Sequence, residues 1–215
     1  MNIILDRIAK GEHISISRYN DGELGAILGH LTKTSRQQQP VTPDLVQKLN
    51  YGLDYRADGY FIGIPCPACF PAYYNYIRKR LDGYENQILA VSTTNNHYKL
   101  FKTELLKLLR EKNVAVLADR RFTLPLNYAK FYLYDGNNDA KNTEKVLSEI
   151  GKHEYYILTL GAASRYLSAK MHAKGMNALD LGSIFEPEKC GKMIRAHVWP
   201  SKYRNEQDYC PICNY

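Results

Sequence analysis

The sequence lacks any run approaching the roughly 20 apolar residues that a membrane-spanning helix needs, so no helical transmembrane segment is expected. No secretory leader is expected either, because Met1-Asn2-Ile3-Ile4-Leu5-Asp6-Arg7 turns polar too early. Cysteine is scarce and odd in number, 5 in 215 residues, where a secreted disulfide framework usually needs an even count. Together these absences predict a soluble, cytoplasmic chain. A basic arm is missing too. The formal charge of +7 is spread over short segments such as 77–80, 105–112 and 189–195, with acids such as Asp82, Glu111 and Glu188 in or beside them. That pattern reads as a solvated face, so no nucleic-acid partner is expected. An excess of positive charge still suits an anionic partner, such as a diphosphate-bearing ligand or peripheral contact with an anionic membrane surface. Internal repeats, low-complexity runs and Ser/Gly linkers are absent as well. Residues 1–215 therefore read as one domain, a length that suits a single buried sheet.

What is present is a regular alternation of short apolar runs and longer amphipathic stretches. Strands are predicted at 13–17, 60–64, 87–92, 113–118, 130–134, 155–160 and 177–181. Helices are predicted at 21–30, 43–55, 71–81, 96–112, 140–150 and 162–174. Thr42 and Pro43 mark one helix start, and Gly175 stands where a helix C-terminal glycine belongs. This order predicts an α/β, Rossmann-like fold with a mostly parallel sheet and helices on both faces. In such sheets ligands bind beyond the carboxyl ends of the strands. The loops 18–23, 92–97, 119–122, 161–163 and 180–183 are therefore the candidates. The 18 tyrosines against 6 phenylalanines would suit sugar stacking, although biased composition explains them as simply.

The first of these loops reads Arg18-Tyr19-Asn20-Asp21-Gly22-Glu23. Two carboxylates one glycine apart can hold a hard divalent cation, which would neutralise a diphosphate leaving group. Gly22 permits close backbone approach, and the Arg18 fork suits phosphate or carboxylate. A plain helix start, with Asp21 as cap and Glu23 in the first turn, explains the same residues. Residues 17–24 resemble the N-terminal Arg-Tyr/Phe-Gly-Asp-Gly-Glu signature of the GT-D-type glycosyltransferases, a family long described as a domain of unknown function. A second block, Leu160-Gly161-Ala162-Ala163 followed by Lys174-Gly175-Met176-Asn177-Ala178-Leu179-Asp180-Leu181-Gly182, resembles that family's Leu-Gly-x-x-Ala…Lys-Gly-x-x-Ala-Leu-Asp-Ile-Gly block.

The resemblance implies a Rossmann-like transferase using a nucleotide sugar, commonly a UDP-sugar, and a Mn or Mg ion at Asp21 and Glu23. The acceptor would be a glycan or glycoconjugate. By the same resemblance, Arg18, Gly22, Gly161 and Asp180 fall in or near the donor site. The sequence departs from the family at Asn20, where a glycine is usual, and at Ser183, where a histidine often stands. It also has Asp119-Arg120-Arg121 where a glycine-rich loop is expected. Arg120 is a candidate to supply the lost phosphate contact. Glu23, Asp119 and His97 are the candidate general bases for deprotonating an acceptor hydroxyl.

Cys66-Pro67-Ala68-Cys69 and Cys210-Pro211-Ile212-Cys213 repeat one spacing with one internal proline. Each can grip one side of a tetrahedral zinc. A structural zinc on all four would tie the tail, about 200–215, back to the domain. Reduced thiols or a redox pair are the alternatives, and Cys190 is left over. A zinc-stapled nucleic-acid-binding module without catalysis is the competing functional reading.

Overall fold

The computed structural model describes residues 2–33, 40–90, 98–119, 129–134 and 143–182. Seven strands form one sheet: β1 Ser15–Arg18, β2 Tyr60–Ile64, β3 Gln87–Leu89, β4 Val114–Asp119, β5 Lys130–Tyr134, β6 Tyr155–Thr159 and β7 Asn177–Asp180. Their spatial order is β3-β2-β1-β7-β6-β4-β5, and every pairing is parallel. The helices are α1 Asn2–Ala9, α2 Asp21–Ile27, α3 Pro43–Asp54, α4 Pro71–Arg80, α5 Tyr98–Leu109, α6 Thr143–Glu149 and α7 Ala163–Ala173. Among the described residues, no helix is long and apolar enough to cross a membrane.

Parallel strands covered on both faces should be apolar at every position, and the runs in β4 and β6 obey this. Val114, Val116, Tyr155 and Ile157 turn to one face, where they meet α1 and α5 through Ile4, Ile8, Phe101 and Leu105. Ala115, Leu117, Tyr156 and Leu158 turn to the other, beneath α6 and α7. The helices divide between the faces as right-handed crossovers require. The crossovers carrying α3, α4, α6 and α7 all step toward the β3 edge of the sheet, and their helices share one face. The crossover through α5 steps the other way, from β3 to β4, and α5 lies on the opposite face.

Two helix ends show how local chemistry sets boundaries. The predicted helix over 21–30 stops at Ile27, because Gly29 adopts φ +72°. The N–H of His30 then donates to the Gly25 carbonyl at 2.8 Å and that of Gly29 to Ala26 at 3.2 Å. This is the Schellman pattern, which closes a helix from its last turn. Gly175, with φ +77°, ends α7 in the same way, with Met176 donating to Met171 and Gly175 to His172, both at 2.9 Å. Helix α1 is an addition to the sequence expectation. Its Ile4 and Ile8, one turn apart, are fully buried against α5.

At the amino end of the sheet, the rings of His13 and His172 stack with centroids 4.0 Å apart. His172 Nε2 lies 3.0 Å from the Asp58 carbonyl, which can only accept, so Nε2 carries the proton. Its Nδ1 is buried without a hydrogen-bond partner. Burial, then the neighbouring His13, lower the His172 pKa from the ordinary 6.5 to about 4, against the opposing pull of the Asp58 carbonyl and carboxylate. The unfolded chain therefore takes up this proton first. Stability should be complete above about pH 6.5 and fall toward pH 4, by on the order of 2 kcal/mol from this group. Urea titrations at pH 7 and 4.5 check it: His172→Gln should lose less stability than the wild type between the two, and equal losses would contradict the assignment.

Candidate active site

Strands β1 and β7 are parallel neighbours, which sets their carboxyl ends, Arg18 and Asp180, side by side. The Arg18 N–H donates to Asp180 Oδ2 at 3.1 Å, and Arg18 Nε donates to the Asp180 carbonyl at 3.0 Å. Both residues are buried. The guanidinium of Arg18 lies over Gly182, whose φ is +51°. A Cβ at Gly182 would come within 1.6 Å of Arg18 Nη2, so a glycine there is the condition for this placement of Arg18.

Small residues let α7 settle closely onto this corner. Ser168 Oγ donates to the Ile16 carbonyl at 2.8 Å, and the Ala178 N–H donates to Ser15 Oγ at 2.9 Å. Gly52 of α3 leaves no room for a side chain, since a Cβ there would stand 2.7 Å from both the Arg165 carbonyl and the Tyr19 hydroxyl. Arg165, in the first turn of α7, is thereby carried into the interior. Its Nε donates to the Arg18 carbonyl at 2.6 Å, and its Nη1 donates to the Gly161 carbonyl. Nη2 pairs with Glu23 Oε1 at 2.8 Å, and Nη1 lies 3.4 Å from Asp180 Oδ2. Burial works against the charge on Arg165. The Asp180 and Glu23 carboxylates outweigh it and raise the pKa above its ordinary value.

The two carboxylates of the Asp-x-Glu separate at α2. Glu23 turns inward, with Oε1 on Arg165 and Oε2 accepting the Asn20 N–H at 3.1 Å. That second bond satisfies one of the unpaired amides at a helix start. Asp21 is half-buried and, among the described residues, has no hydrogen bond or ion pair to a side chain. Beside it in the chain, Asn20 Oδ1 is a buried oxygen with no hydrogen-bond partner. Among the described residues, no three His, Cys, Asp or Glu side chains stand close enough to hold a metal between them. An all-protein cage therefore does not fit. A cation held by Asp21, with a second oxygen such as Asn20 Oδ1 and the remaining positions left to phosphate and water, does fit, and magnesium is commonly bound in that way.

No family model matches this sequence, and no curated protein matches it. Solved structures do. One is described as showing that the highly conserved domain of unknown function 1792 has a distinct glycosyltransferase fold. It superposes with a TM-score of 0.68 at 18% identity, over 84% of this chain and 76% of that one. Another, described as a new glycosyltransferase from Streptococcus sanguinis with the same domain, gives 0.66 at 15% identity over 96% and 91%. The chain has this glycosyltransferase fold. That agrees with the architecture implied by the two motif blocks.

Within the glycosyltransferase fold, Arg18, Asp21, Gly22, Glu23, Gly161 and Asp180 come together at one end of the sheet. Asp180 is fully buried between two arginines and, together with Glu23, balances their charge. Gly161, with φ +61°, forms the turn into α7 and offers its carbonyl to Arg165. Asp119 ends β4 at the same end of the sheet. Arg120, His97, Cys190, Cys210 and Cys213 lie outside the described residues. Tyr73, Tyr74 and Tyr76 pack partly buried against the core beneath α4, so they serve packing first. An open cleft of about 630 Å³, lined by residues such as Ala26, Leu31 and Val46, lies at the far end of α2 and shares no residue with the ionic cluster.

Arg165 is the residue that sequence reading missed. Its signal is an arginine on the same helical face as Ser168, Ala169 and His172, a face otherwise made of small or buried residues. Removing it would leave two buried carboxylates without their partner. Arg165→Met should cost about 3–5 kcal/mol, read as a fall in the urea midpoint. Arg165→Lys should recover only part, since an ammonium cannot reproduce the planar fork. A near-neutral Arg165→Met would show that the cluster does not hold this corner together.

Proposed function

We propose that this protein is a glycosyltransferase. It moves a sugar from a nucleotide-diphosphate donor, a UDP-sugar in the first instance, to a glycan, lipid-linked or protein-linked acceptor. The observation that carries the reading is Asp21, an unpaired carboxylate at the carboxyl end of β1 in a glycosyltransferase fold, backed by a buried cluster whose own charges cancel. The printed description of the Streptococcus sanguinis protein as a glycosyltransferase supports the same reading.

In this proposal Asp21, with Asn20 Oδ1 near it in the chain, holds a Mn²⁺ or Mg²⁺ ion, which when bound stabilises the charge that develops on the departing diphosphate. Glu23 is turned toward Arg165 and the Asn20 N–H, each of its oxygens keeping a lone pair with which it could join the ion. It anchors Arg165 and fixes the first turn of α2. Gly22 leaves room at the helix start for a ligand to reach the backbone. Arg18 holds the β1 end in register with β7, and Arg120 adds positive charge for the diphosphate. If the reaction inverts, a base must take the acceptor proton. Asp119 and His97 fill that role better than Glu23, whose carboxylate is held as the countercharge of Arg165.

Calorimetry with UDP and Mn²⁺ tests the site. Asp21→Ala should lower metal-dependent affinity at least about tenfold, by analogy with losses at metal-supporting residues. Glu23→Gln should lower stability more than it lowers metal dependence. Unchanged nucleotide binding in Asp21→Ala would remove Asp21 from the site. Hydrolysis of a panel of nucleotide sugars with Mn²⁺ present then identifies the donor, and no turnover with any of them would defeat the transferase reading.

A further inference from the structure

We propose that Cys66 and Cys69 are half of a structural zinc site with four thiolate ligands, completed by Cys210 and Cys213. Cys66 and Cys69 follow β2, in the turn that leads to α4. The Phe70 N–H donates to the Cys66 carbonyl at 3.0 Å, closing one tight turn over both cysteines. Such a turn brings residues three apart onto the same side, the arrangement in which a Cys-x-x-Cys grips a tetrahedral ion with two Zn–S bonds. Cys66 is fully buried and Cys69 is exposed, so the pair spans the boundary between the core and the surface.

A redox role fits this geometry less well. A redox cysteine is activated at a helix N-terminus, and α4 begins only at Pro71, after both cysteines. The turn supplies two ligands, and no described group supplies a third. The remaining cysteines of the chain are Cys190, Cys210 and Cys213. Cys210-Pro211-Ile212-Cys213 repeats both the spacing and the internal proline of the first pair, which closes the ligand count at four. Cys210 and Cys213 lie outside the described residues, and their part in the site rests on that repeat.

Gly63 of β2 pairs with Arg18 of β1, and Cys66 follows three residues later. The first half of the site therefore lies at the carboxyl end of the sheet, the end at which Asp21 stands. The metal site stands independently of the transferase reading, and its test does not use activity.

Elemental analysis of the full-length protein, purified without chelator, should find about one zinc per chain. Cys210→Ser and Cys213→Ser should each lose most of it, and Cys190→Ser should retain it. The tail variants keep the test meaningful if Cys66→Ser fails to fold, with circular dichroism confirming that their helices persist. A mercurial that titrates thiolates should release the zinc stoichiometrically. Metal-free wild-type protein, zinc that survives both tail substitutions, or a disulfide found by intact mass would each overturn the proposal.

Discussion

Burying the Arg165 guanidinium requires an acceptor for its donors and a countercharge for its cation. Four separate segments meet that requirement. The end of β1 offers the Arg18 carbonyl, the turn into α7 offers Gly161, β7 offers Asp180, and α2 offers Glu23. Much of the surrounding structure follows from it. Serines and alanines line α7 and β1 so that the helix can approach the sheet. Gly52 admits α7 against α3, and Gly182 admits the second arginine. Larger side chains at these points would lift Arg165 or Arg18 away from its acceptors.

The same arrangement separates structural charge from functional charge. Arg18 and Arg165 are matched by Asp180 and Glu23, so the buried cluster is neutral. Asp21 lies outside that balance, at the first position of the same helix. Under the proposed function, a ligand arriving at the carboxyl edge would meet the Asp21 carboxylate on a base that the cluster already fixes. A preorganised base of this kind lets a cation or donor bind without first rearranging the protein.

The two ends of the sheet are built for different purposes. The carboxyl end gathers charge and glycine, while the amino end stacks His13 on His172 and closes α7 with Gly175. The buried neutral imidazole contributes its full stability above about pH 6.5 and loses it toward pH 4, so the acid sensitivity predicted for the fold originates at the end of the sheet opposite the candidate site.

By itself the sequence determined the alternation of strands and helices, because strands buried on both faces must be continuously apolar and their covering helices must be amphipathic. It also determined which loops lie at the carboxyl ends, and that Gly175 ends α7, since glycine takes a left-handed backbone at little cost. Helix α1 escaped because Ile4 and Ile8 gain their burial from residues distant in sequence, among them Phe101 and Leu105 of α5, about a hundred residues on. Spacing alone cannot say which of the two carboxylates, Asp21 or Glu23, turns inward. That was decided by Arg165, which lies more than a hundred residues from either. Only the tertiary structure brings such a cation to one of two neighbouring carboxylates. The pairing of β1 with β7, which sets Arg18 on Asp180, was settled at the same level, by the packing of α7 across both strands.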